Sequence, residues 1–407
     1  MEGFVMGELP LKGIRILDLS SVVVGPYATM MLSDYGAEIT KVETPGGDIL
    51  RRLGGRSKSG ELSPKFMSIN RNKKSLAIDL KHPSAKRVIK GLLETHDVVI
   101  SNIRPRALAR LGLDQESARA ARPDVIYCSI VGFGQDGPYR DKPAYDNVLQ
   151  GMGGIAACHE RQSGEPRYLP MVLADRLSGM MAVQSILLAV IQRQKDGEGQ
   201  AIEIPMYENT AAFVLTEHLG QLIYPGSDGP SGDLRVLDRN AKPIKTKDSY
   251  ICIAANSDKQ AFAMFDAFGR PEMKDDPRFN SVRARYENID IYYTIRGEEL
   301  ARKTTAEWVE LFDQLDVPAM PYNTFEDLVE DPHLREVGLL EEKDHPLEGR
   351  TYNVRPVAKF SGIASRAPTP PPRHGQHSAE ILQSIGLSER DIQAMIDDGS
   401  IIDRPLD

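Results

Sequence analysis

One acidic residue, Asp175, stands between an apolar stretch and the start of an apolar helical pattern. The simplest role for an acid at this point is to cap the helix by accepting its first N–H groups. The same place also suits chemistry, because a helix dipole favours a charged carboxylate and an ionised carboxylate can act as a nucleophile. Gly179, one turn later, would leave room beside Asp175 for a bulky substrate. Residue types and spacing leave both roles open.

Several cations follow predicted strands and could bind the phosphates of one ligand. They are Lys81, Arg104, Arg106, Arg110 and Lys142. For any one of them, a solvated surface charge is an equally good explanation. The formal net charge of −8 argues against nucleic acid as the main partner, since nucleic-acid-binding domains usually carry a basic balance. The composition therefore favours a local basic site over a broad basic surface.

A glycine pattern, Gly132-Phe-Gly-Gln-Asp-Gly137, matches the letters of a dinucleotide-binding motif. Pro138 follows it where that motif needs a helix, and the first strand-to-helix turn, residues 20–26, lacks the required glycines. Glu43 does end the second predicted strand, where an NAD enzyme places the acid that binds ribose. The pattern as a whole indicates a loop rather than an NAD site.

Histidines and cysteines do not form recognisable sites. No two of the eight histidines are four residues apart, so we expect no metal site. The three cysteines, Cys128, Cys158 and Cys252, are odd in number and widely spaced. That usage predicts neither disulfides nor a zinc site and is typical of a reducing, cytoplasmic compartment.

The first two hundred residues alternate between strand and helix patterns, which predicts an α/β fold with a parallel sheet between layers of helices. The predicted strands cover 14–19, 38–42, 75–78, 97–100 and 125–131, and the helices between them cover 26–33, 83–94 and 105–111. Pro26, Pro83 and Pro105 are expected in first helical turns, where a missing N–H costs nothing. An apolar helix over 177–195 is expected to be buried, because its uncharged run is short for a membrane span.

The composition changes after residue 222. A turn-rich stretch precedes a strand at 250–254 and helices at 259–268 and 305–314, while a proline-rich arm covers 367–373 and Ser388 caps a last helix. We therefore expect a large α/β domain over 1–222, a linker over 223–243 and a small α+β domain over 244–335. The arm and the return to the large domain would cover 336–407.

Taken together, the sequence resembles the class III CoA-transferases, which include formyl-CoA and carnitine CoA-transferases and share a superfamily with α-methylacyl-CoA racemase. The likeness covers nearly the whole chain and includes the family's catalytic segment at 173–179. The other matching segments are 11–18, 24–26, 34–43, 47–51, 70–75, 97–102, 276–279, 305–308, 331–333 and 371–378.

The resemblance implies a reaction and a fold. Asp175 would attack an acyl-CoA such as succinyl-CoA, and pass CoA to a free carboxylic acid through an aspartyl anhydride and an aspartyl-CoA thioester. No metal or permanently bound cofactor is implied, and no membrane or nucleic acid partner. The large domain would be Rossmann-like, and two chains would form an interlocked homodimer.

The resemblance also implies site residues. Tyr145 and Asp146 would lie near the acyl group. The positions that match CoA contacts in the family are Val22, Val23, Ile78, Lys81, Asn102, Ala107, Arg110, Lys142 and Met206.

Two alternatives stay open: an acyl-CoA racemase or epimerase of the same superfamily, and a CoA-binding protein without activity. A racemase needs a histidine in a Gly-His-Asp segment, and here that segment reads Ala144-Tyr145-Asp146, which favours the transferase. A CoA-binding protein without activity would have no reason to keep Asp175 and Gly179. Formyl-CoA transferase has a glutamine where this chain has Val23, and a glycine run that is missing between 226 and 269, so exchange of formate or oxalate is not expected.

Overall fold

The computed structural model describes residues 7–363 and 366–406. Its strands form a seven-stranded sheet, a three-stranded sheet and a hairpin. The strands are β1 (Arg15–Asp18), β2 (Glu38–Glu43), β3 (Lys73–Ile78), β4 (Val98–Ser101), β5 (Ile126–Val131), β6 (Ala201–Pro205), β7 (Ile244–Lys245), β8 (Tyr250–Ile253), β9 (Ala319–Pro321), β10 (Leu340–His345), β11 (Gly349–Val354) and β12 (Ile401–Ile402).

Helices connect most of these strands. They are α1 (Val24–Asp34), α2 (Pro64–Met67), α3 (Ala85–Thr95), α4 (Pro105–Leu111), α5 (Gln115–Ala121), α6 (Asp146–Met152), α7 (Ile155–Ser163), α8 (Leu173–Asp196), α9 (Met206–His218), α10 (Leu234–Leu237), α11 (Asp258–Ala267), α12 (Val282–Glu287), α13 (Ile289–Leu300), α14 (Thr305–Gln314), α15 (Phe325–Glu330), α16 (Pro332–Glu336), α17 (Ser378–Ser384) and α18 (Glu389–Asp397). Short 3₁₀ helices cover Ile49–Arg51, Gly220–Ile223 and Pro271–Lys274.

The chain folds into two compact units. The larger unit contains the chain up to Leu149, Met171–Thr210 and the chain from Val337 onward. The smaller unit contains Gln150–Pro170 and Ala211–Glu336. Each unit has its own hydrophobic core.

The seven-stranded sheet of the larger unit is mainly parallel, as the strand–helix alternation predicts. Its order is β12-β3-β2-β1-β4-β5-β6, and only the edge strand β12 pairs antiparallel, with Ile401 opposite Ile78. Successive residues of a strand point to opposite faces. Ile16 accordingly joins the core under α1 and α8, whereas Leu17 joins the core under α3, α5, α17 and α18. Both faces of the sheet are therefore covered.

The long helix α8 packs against α1 through small residues. Ala174, Ser178 and Ala182 follow one another at four-residue spacing on its buried face. A Cβ atom added to Gly179 would lie 2.9 Å from the main-chain oxygen of Val24 in α1, which is too close. Gly179 thus permits the approach of two helices, and this replaces the expectation that it leaves room for a substrate.

By length and apolar composition alone, α8 could cross a membrane. Its buried face, however, continues through Ile186 and Val190 into the core of the larger unit. The burial that the sequence predicts therefore holds for one face of α8, while Leu188 and Ile191 on the helix are exposed.

The smaller unit is built around β7, β8 and β9, which pair antiparallel. Trp308 and Phe312 of α14 stack with ring centroids 5.2 Å apart, and the Trp308 indole donates a 2.8 Å hydrogen bond to the main chain of Leu300. Thr304 begins α14 with a capping box that includes Glu307. The observed boundaries of α14, Thr305–Gln314, are those predicted from the apolar periodicity.

The predicted start of α3 is wrong. Pro83 does not lie in the first turn of α3, because the helix begins at Ala85 with Ser84 as its N-cap. His82 closes a turn instead, donating its N–H to Asp79 and accepting from Ala85. The prolines Pro26 and Pro105 do lie in first turns, as predicted.

Candidate active site

Asp175 is the third residue of α8, and its carboxylate does not cap the helix. The N-cap is Val172, which supplies no side-chain acceptor. The N–H of Asp175 donates a 3.1 Å hydrogen bond to Oδ1 of Asp146, the first residue of α6. The expectation that Asp175 itself caps α8 is therefore wrong: it lies inside the helix, and Asp146 supplies an acceptor. The two acids predicted from the sequence are brought together by this contact.

Burial, and next the nearby carboxylate of Asp146, raise the pKa of Asp175 to about 7, while Lys65 and Arg176 oppose the shift. The sequence predicts that the helix dipole keeps this carboxylate charged. A dipole contributes only about 0.3–1 kcal/mol at a helix end, so desolvation and a second acid outweigh it. Asp175 therefore changes its charge near neutral pH.

Two cations, Lys65 and Arg176, lie near enough to Asp175 to oppose the rise in its pKa. Lys65 comes from α2, and Arg176 holds its guanidinium 4.2 Å from the ring centre of Tyr27. Within the described residues, neither cation forms an ion pair with an acidic side chain. A negatively charged ligand group beside Asp175 would meet two positive charges.

The residues predicted to contact CoA follow strands that end at one edge of the large sheet. Val22 and Val23 follow β1, Ile78 ends β3 with Lys81 just beyond it, and Met206 follows β6. After β4 come Asn102, Ala107 and Arg110, and Lys142 follows β5. Because β1 to β6 are parallel, their carboxyl ends meet at the same edge. α8 leads into β6, so the Asp175 end of α8 lies at this edge as well.

The strand order changes direction between β1 and β4, which is where open α/β sheets bind their ligands. Asn102 bridges this gap. Its amide oxygen accepts from the N–H of Ser21 at 3.0 Å, and its amide nitrogen donates to the Ser21 carbonyl at 3.0 Å. Asn102 therefore fixes the turn after β1, whatever ligand the edge binds.

A model of CoA-transferase family III matches residues 11–378 of the chain. The chain belongs to this family. It is 33% identical over 377 residues to a mouse protein named succinyl-CoA:glutarate CoA-transferase, covering 92% of this chain and 86% of that one. It is also 33% identical over 399 residues to an Agrobacterium fabrum protein named succinate–glutarate CoA-transferase, covering 94% and 97%. The chain is therefore a class III CoA-transferase, as the sequence predicts.

The fold agrees with this family. A crystal structure of a CAIB/BAIF family protein from Brucella suis superposes with a TM-score of 0.80 at 29% identity, over 93% of this chain and 100% of that chain. The large, mainly parallel sheet is thus the expected architecture of the family.

The predicted CoA contacts of this CoA-transferase differ in exposure. Lys81, Arg110 and Lys142 are exposed at the sheet edge, where cations can reach a phosphate, and Ala107 is partly exposed. The ammonium of Lys142 lies 4.5 Å from the ring centre of Tyr139. By contrast, the side chains of Val23, Ile78 and Met206 are buried in the core. Any contact with CoA at these three positions would have to come from the main chain.

Tyr145 and Asp146 differ in the same way. The Tyr145 side chain is 78% exposed, whereas Asp146 is buried at the start of α6. Tyr145 precedes α6, whereas Asp146 is its first residue. Tyr145 is thus free to reach an acyl group, while the Asp146 carboxylate is held against the main chain of α8.

Glu43 is not available to a ribose. Its carboxylate accepts two 2.7 Å hydrogen bonds from Arg51 and a 2.8 Å hydrogen bond from Ser75, all buried. The dinucleotide alternative therefore loses its only acidic candidate.

Sequence reasoning missed three charged residues near the site, Lys65, Lys41 and Asp48. Lys41 and Asp48 form a buried ion pair of 3.0 Å directly under the turn after β1. Asp48 follows two glycines at the end of β2, a turn signal that could have marked it. Lys65 carries no local signal, because only the tertiary fold brings α2 near Asp175.

Proposed function

We propose that this CoA-transferase moves CoA from an acyl-CoA to a free carboxylic acid through covalent intermediates on Asp175. The observation that carries the proposal is a partly buried carboxylate whose pKa is raised to about 7 by burial and by Asp146. It stands at the sheet edge where predicted CoA contacts gather. A carboxylate that has lost part of its water shell is a stronger nucleophile than a solvated one.

The reaction would proceed in four steps. Asp175 attacks the thioester carbonyl, forming a mixed anhydride and releasing CoA as its thiolate. The thiolate attacks the Asp175 carbonyl, giving an aspartyl-CoA thioester and the free donor acid. The acceptor carboxylate attacks that thioester and again releases the thiolate, leaving a second anhydride. The thiolate finally attacks the acceptor carbonyl, which yields the new acyl-CoA and restores Asp175.

CoA would lie along the carboxyl edge of the sheet. The exposed cations Lys81, Arg110 and Lys142 suit its phosphates. The turn at Val22 and Val23 and the side of α4 at Ala107 would border the ligand through main-chain atoms and small side chains. The thioester would then face Asp175 at the start of α8, with Tyr145 and Asp146 beside the acyl group.

The substrates we propose are succinyl-CoA as donor and a dicarboxylic acid as acceptor. Two relatives described above are named for succinyl-CoA or succinate and for glutarate. The cations Lys65 and Arg176 offer a physical reason: while one carboxylate of the acid reacts with Asp175, the second can pair with a cation. A monocarboxylic acid has no second carboxylate to pair with Lys65 or Arg176.

The proposal is tested by trapping the intermediate. The protein is incubated with succinyl-CoA, quenched with borohydride or hydroxylamine, and mapped by peptide mass spectrometry. We expect a modification on the peptide that contains Asp175, with glutarate but not butyrate discharging it rapidly. A protein that exchanges CoA between acids without any adduct at Asp175 would overturn the covalent route.

The pH dependence of the reaction should follow the charge of Asp175. The nucleophile is active when ionised, so kcat/KM should rise with pH and level off above about 7, where the carboxylate is deprotonated. Asp146→Asn removes a like charge that raises the pKa, so the rising limb should move to lower pH. The asparagine oxygen can still accept from the Asp175 N–H. An unchanged limb in the variant would show that Asp146 does not set this pKa.

We further propose that the active protein is a homodimer, as its resemblance to the family implies. On α8, Leu188 is 67% exposed and Ile191 is 49% exposed, which leaves apolar surface for a partner to cover. Light scattering should give twice the chain mass of 45.1 kDa. A stable monomer at this mass would contradict the proposal.

A further inference from the structure

Each residue of the turn after β1, from Ser20 to Val22, has a main-chain hydrogen bond with a side chain. Oδ1 of Asp18 accepts from the Ser20 N–H at 3.0 Å, and the Lys41 ammonium donates to the Ser20 carbonyl at 3.0 Å. Asn102 holds both main-chain groups of Ser21. Main-chain groups of a turn are usually hydrogen-bonded in this way, but the conformation of the last residue of this turn is unusual.

The last residue is Val22, whose φ angle is +67°. A β-branched residue rarely adopts this left-handed conformation, because its side chain crowds the main chain. The conformation persists only when surrounding contacts impose it, and strain of this kind gathers at functional sites. Val22 is one of the residues predicted to border CoA.

Asp48 is the contact that imposes the conformation. The Val22 N–H donates to both carboxylate oxygens of Asp48, at 3.3 and 3.2 Å. The same carboxylate accepts from the Leu50 N–H at 3.0 Å and from the Lys41 ammonium at 3.0 Å. The side chains of Lys41 and Asp48 are 0% and 1% exposed. The pair therefore cannot exchange its contacts for water.

Lys41 keeps its charge in this position. Burial alone would lower the pKa of Lys41, but the carboxylates of Asp18, Asp48 and Glu43 raise it above the ordinary value. A charged lysine in turn keeps Asp48 oriented, since a buried cation needs its partner. The ion pair therefore contacts the strained turn at two residues: Asp48 accepts from the Val22 N–H, and Lys41 donates to the Ser20 carbonyl.

From these contacts we infer that Asp48, with Lys41 as its partner, is a positioning residue that holds Val22 in the conformation needed to bind CoA. The inference rests on the proposed function, because it assigns the turn after β1 to the CoA side of the site. Asp48 would affect the affinity for CoA and acyl-CoA, and not the affinity for the acceptor acid. If the turn relaxes, only a fraction of the molecules can bind, and the apparent dissociation constant becomes the intrinsic one divided by that fraction.

A purely structural role for Asp48 would also weaken the protein when the residue is changed. Asp34 provides a matched control for this possibility. It is a buried acid of the same unit, paired with Arg71 at 2.6 Å and with Asn72 at 3.1 Å, and among the described residues its carboxylate forms no hydrogen bond with the turn. Asp34→Asn and Asp48→Asn therefore remove comparable buried charges.

The experiment measures CoA binding to the full-length protein by isothermal titration, with folding checked by circular dichroism. The side chain in Asp48→Asn has one acceptor oxygen instead of two, so it cannot accept from the Val22 N–H and from the Lys41 ammonium on separate oxygens. We expect its dissociation constant for CoA to rise about tenfold, while Asp34→Asn stays within about twofold of the wild type. The KM for the acceptor acid should not change.

A second substitution separates positioning from folding. Glycine adopts positive φ without steric cost, so Val22→Gly removes the need for Asp48 to hold the turn. Adding Asp48→Asn to Val22→Gly should then raise the dissociation constant by less than about threefold. If Asp48→Asn is equally harmful in both backgrounds, or binds CoA like Asp34→Asn, Asp48 has no positioning role. A wild type that binds no CoA would instead overturn the proposed function.

Discussion

Replacing Asp175 with asparagine is expected to abolish CoA transfer, lowering kcat on the order of 10⁴-fold or more, the scale seen when a covalent nucleophile is removed. The amide keeps the size of the side chain and leaves the hydrogen bond from the main chain of residue 175 to Asp146 in place. What it loses is the charged oxygen that would form the anhydride. Steady-state transfer from succinyl-CoA to glutarate, followed by chromatography of the CoA esters, measures the effect.

Asp196 offers a matched control at the other end of the same helix. It is exposed and accepts hydrogen bonds from Gln192 and from the main chain of Glu198. Asp196→Asn should transfer CoA at the wild-type rate. Should Asp175→Asn keep more than about one hundredth of the wild-type kcat, its carboxylate would be a binding group, and the anhydride mechanism would have to be abandoned.

The largest effect on stability is expected at Lys73, in the core beneath the turn after β1. Its ammonium donates to the main-chain oxygen of Pro26 at 2.8 Å, to Asn70 at 2.9 Å and to Asp18 at 3.3 Å. Lys73 and Asp18 are both fully buried. Burial lowers the pKa of Lys73 to about 7, so its pair with Asp18 is fully charged only below that pH. Below it, Lys73→Met fills the space but leaves Asp18 without this partner, and the free energy of unfolding should fall by about 3–5 kcal/mol. Urea denaturation followed by circular dichroism, at one protein concentration, measures this.

The neighbouring Lys74 provides the comparison. It lies on the same strand, but its ion pair with Glu380 is about half exposed on both sides. Lys74→Met should change the free energy of unfolding by less than about 1 kcal/mol, since water screens such pairs. Equal losses for the two lysines would mean that the buried pair contributes no more than a surface one.

The parallel sheet and its helices could be predicted because their signals are local. The apolar, β-branched run at β5 was predicted over 125–131 and observed at Ile126–Val131, and Pro105 starts α4 where it was expected. The edge strand β12 was missed, because two residues carry no pattern of their own and pair only in the context of β3. The hairpin of β10 and β11 was missed for a related reason: polar residues such as Lys343 and Asp344 hide its strand character.

In the candidate site, too, features with a local sequence signal could be predicted, and features that depend on tertiary contacts could not. Asp175 stands out by its position before a helix and Asp146 through the resemblance, but their contact could not be predicted, because it depends on how α6 meets α8. The direction of the Asp175 pKa was wrong because a sequence reveals a helix end but not the depth of burial. The role of Asp48 could not be foreseen either, since it depends on the backbone angle of Val22 and on a lysine from the neighbouring strand.

The interrupted course of the larger unit has a consequence for how the protein is made on the ribosome. Arg51 hydrogen-bonds the main chain of Pro372, 321 residues later, and β3 pairs with β12 near the far end of the described chain. The smaller unit draws its core, from Ile244 to Val317, from one continuous stretch, so that core can assemble while synthesis continues. In the larger sheet, the β3 edge stays unpaired until β12 has been synthesised, and contacts of such sequence separation form slowly. Nascent chains should therefore need protection of β3 until β12 has emerged.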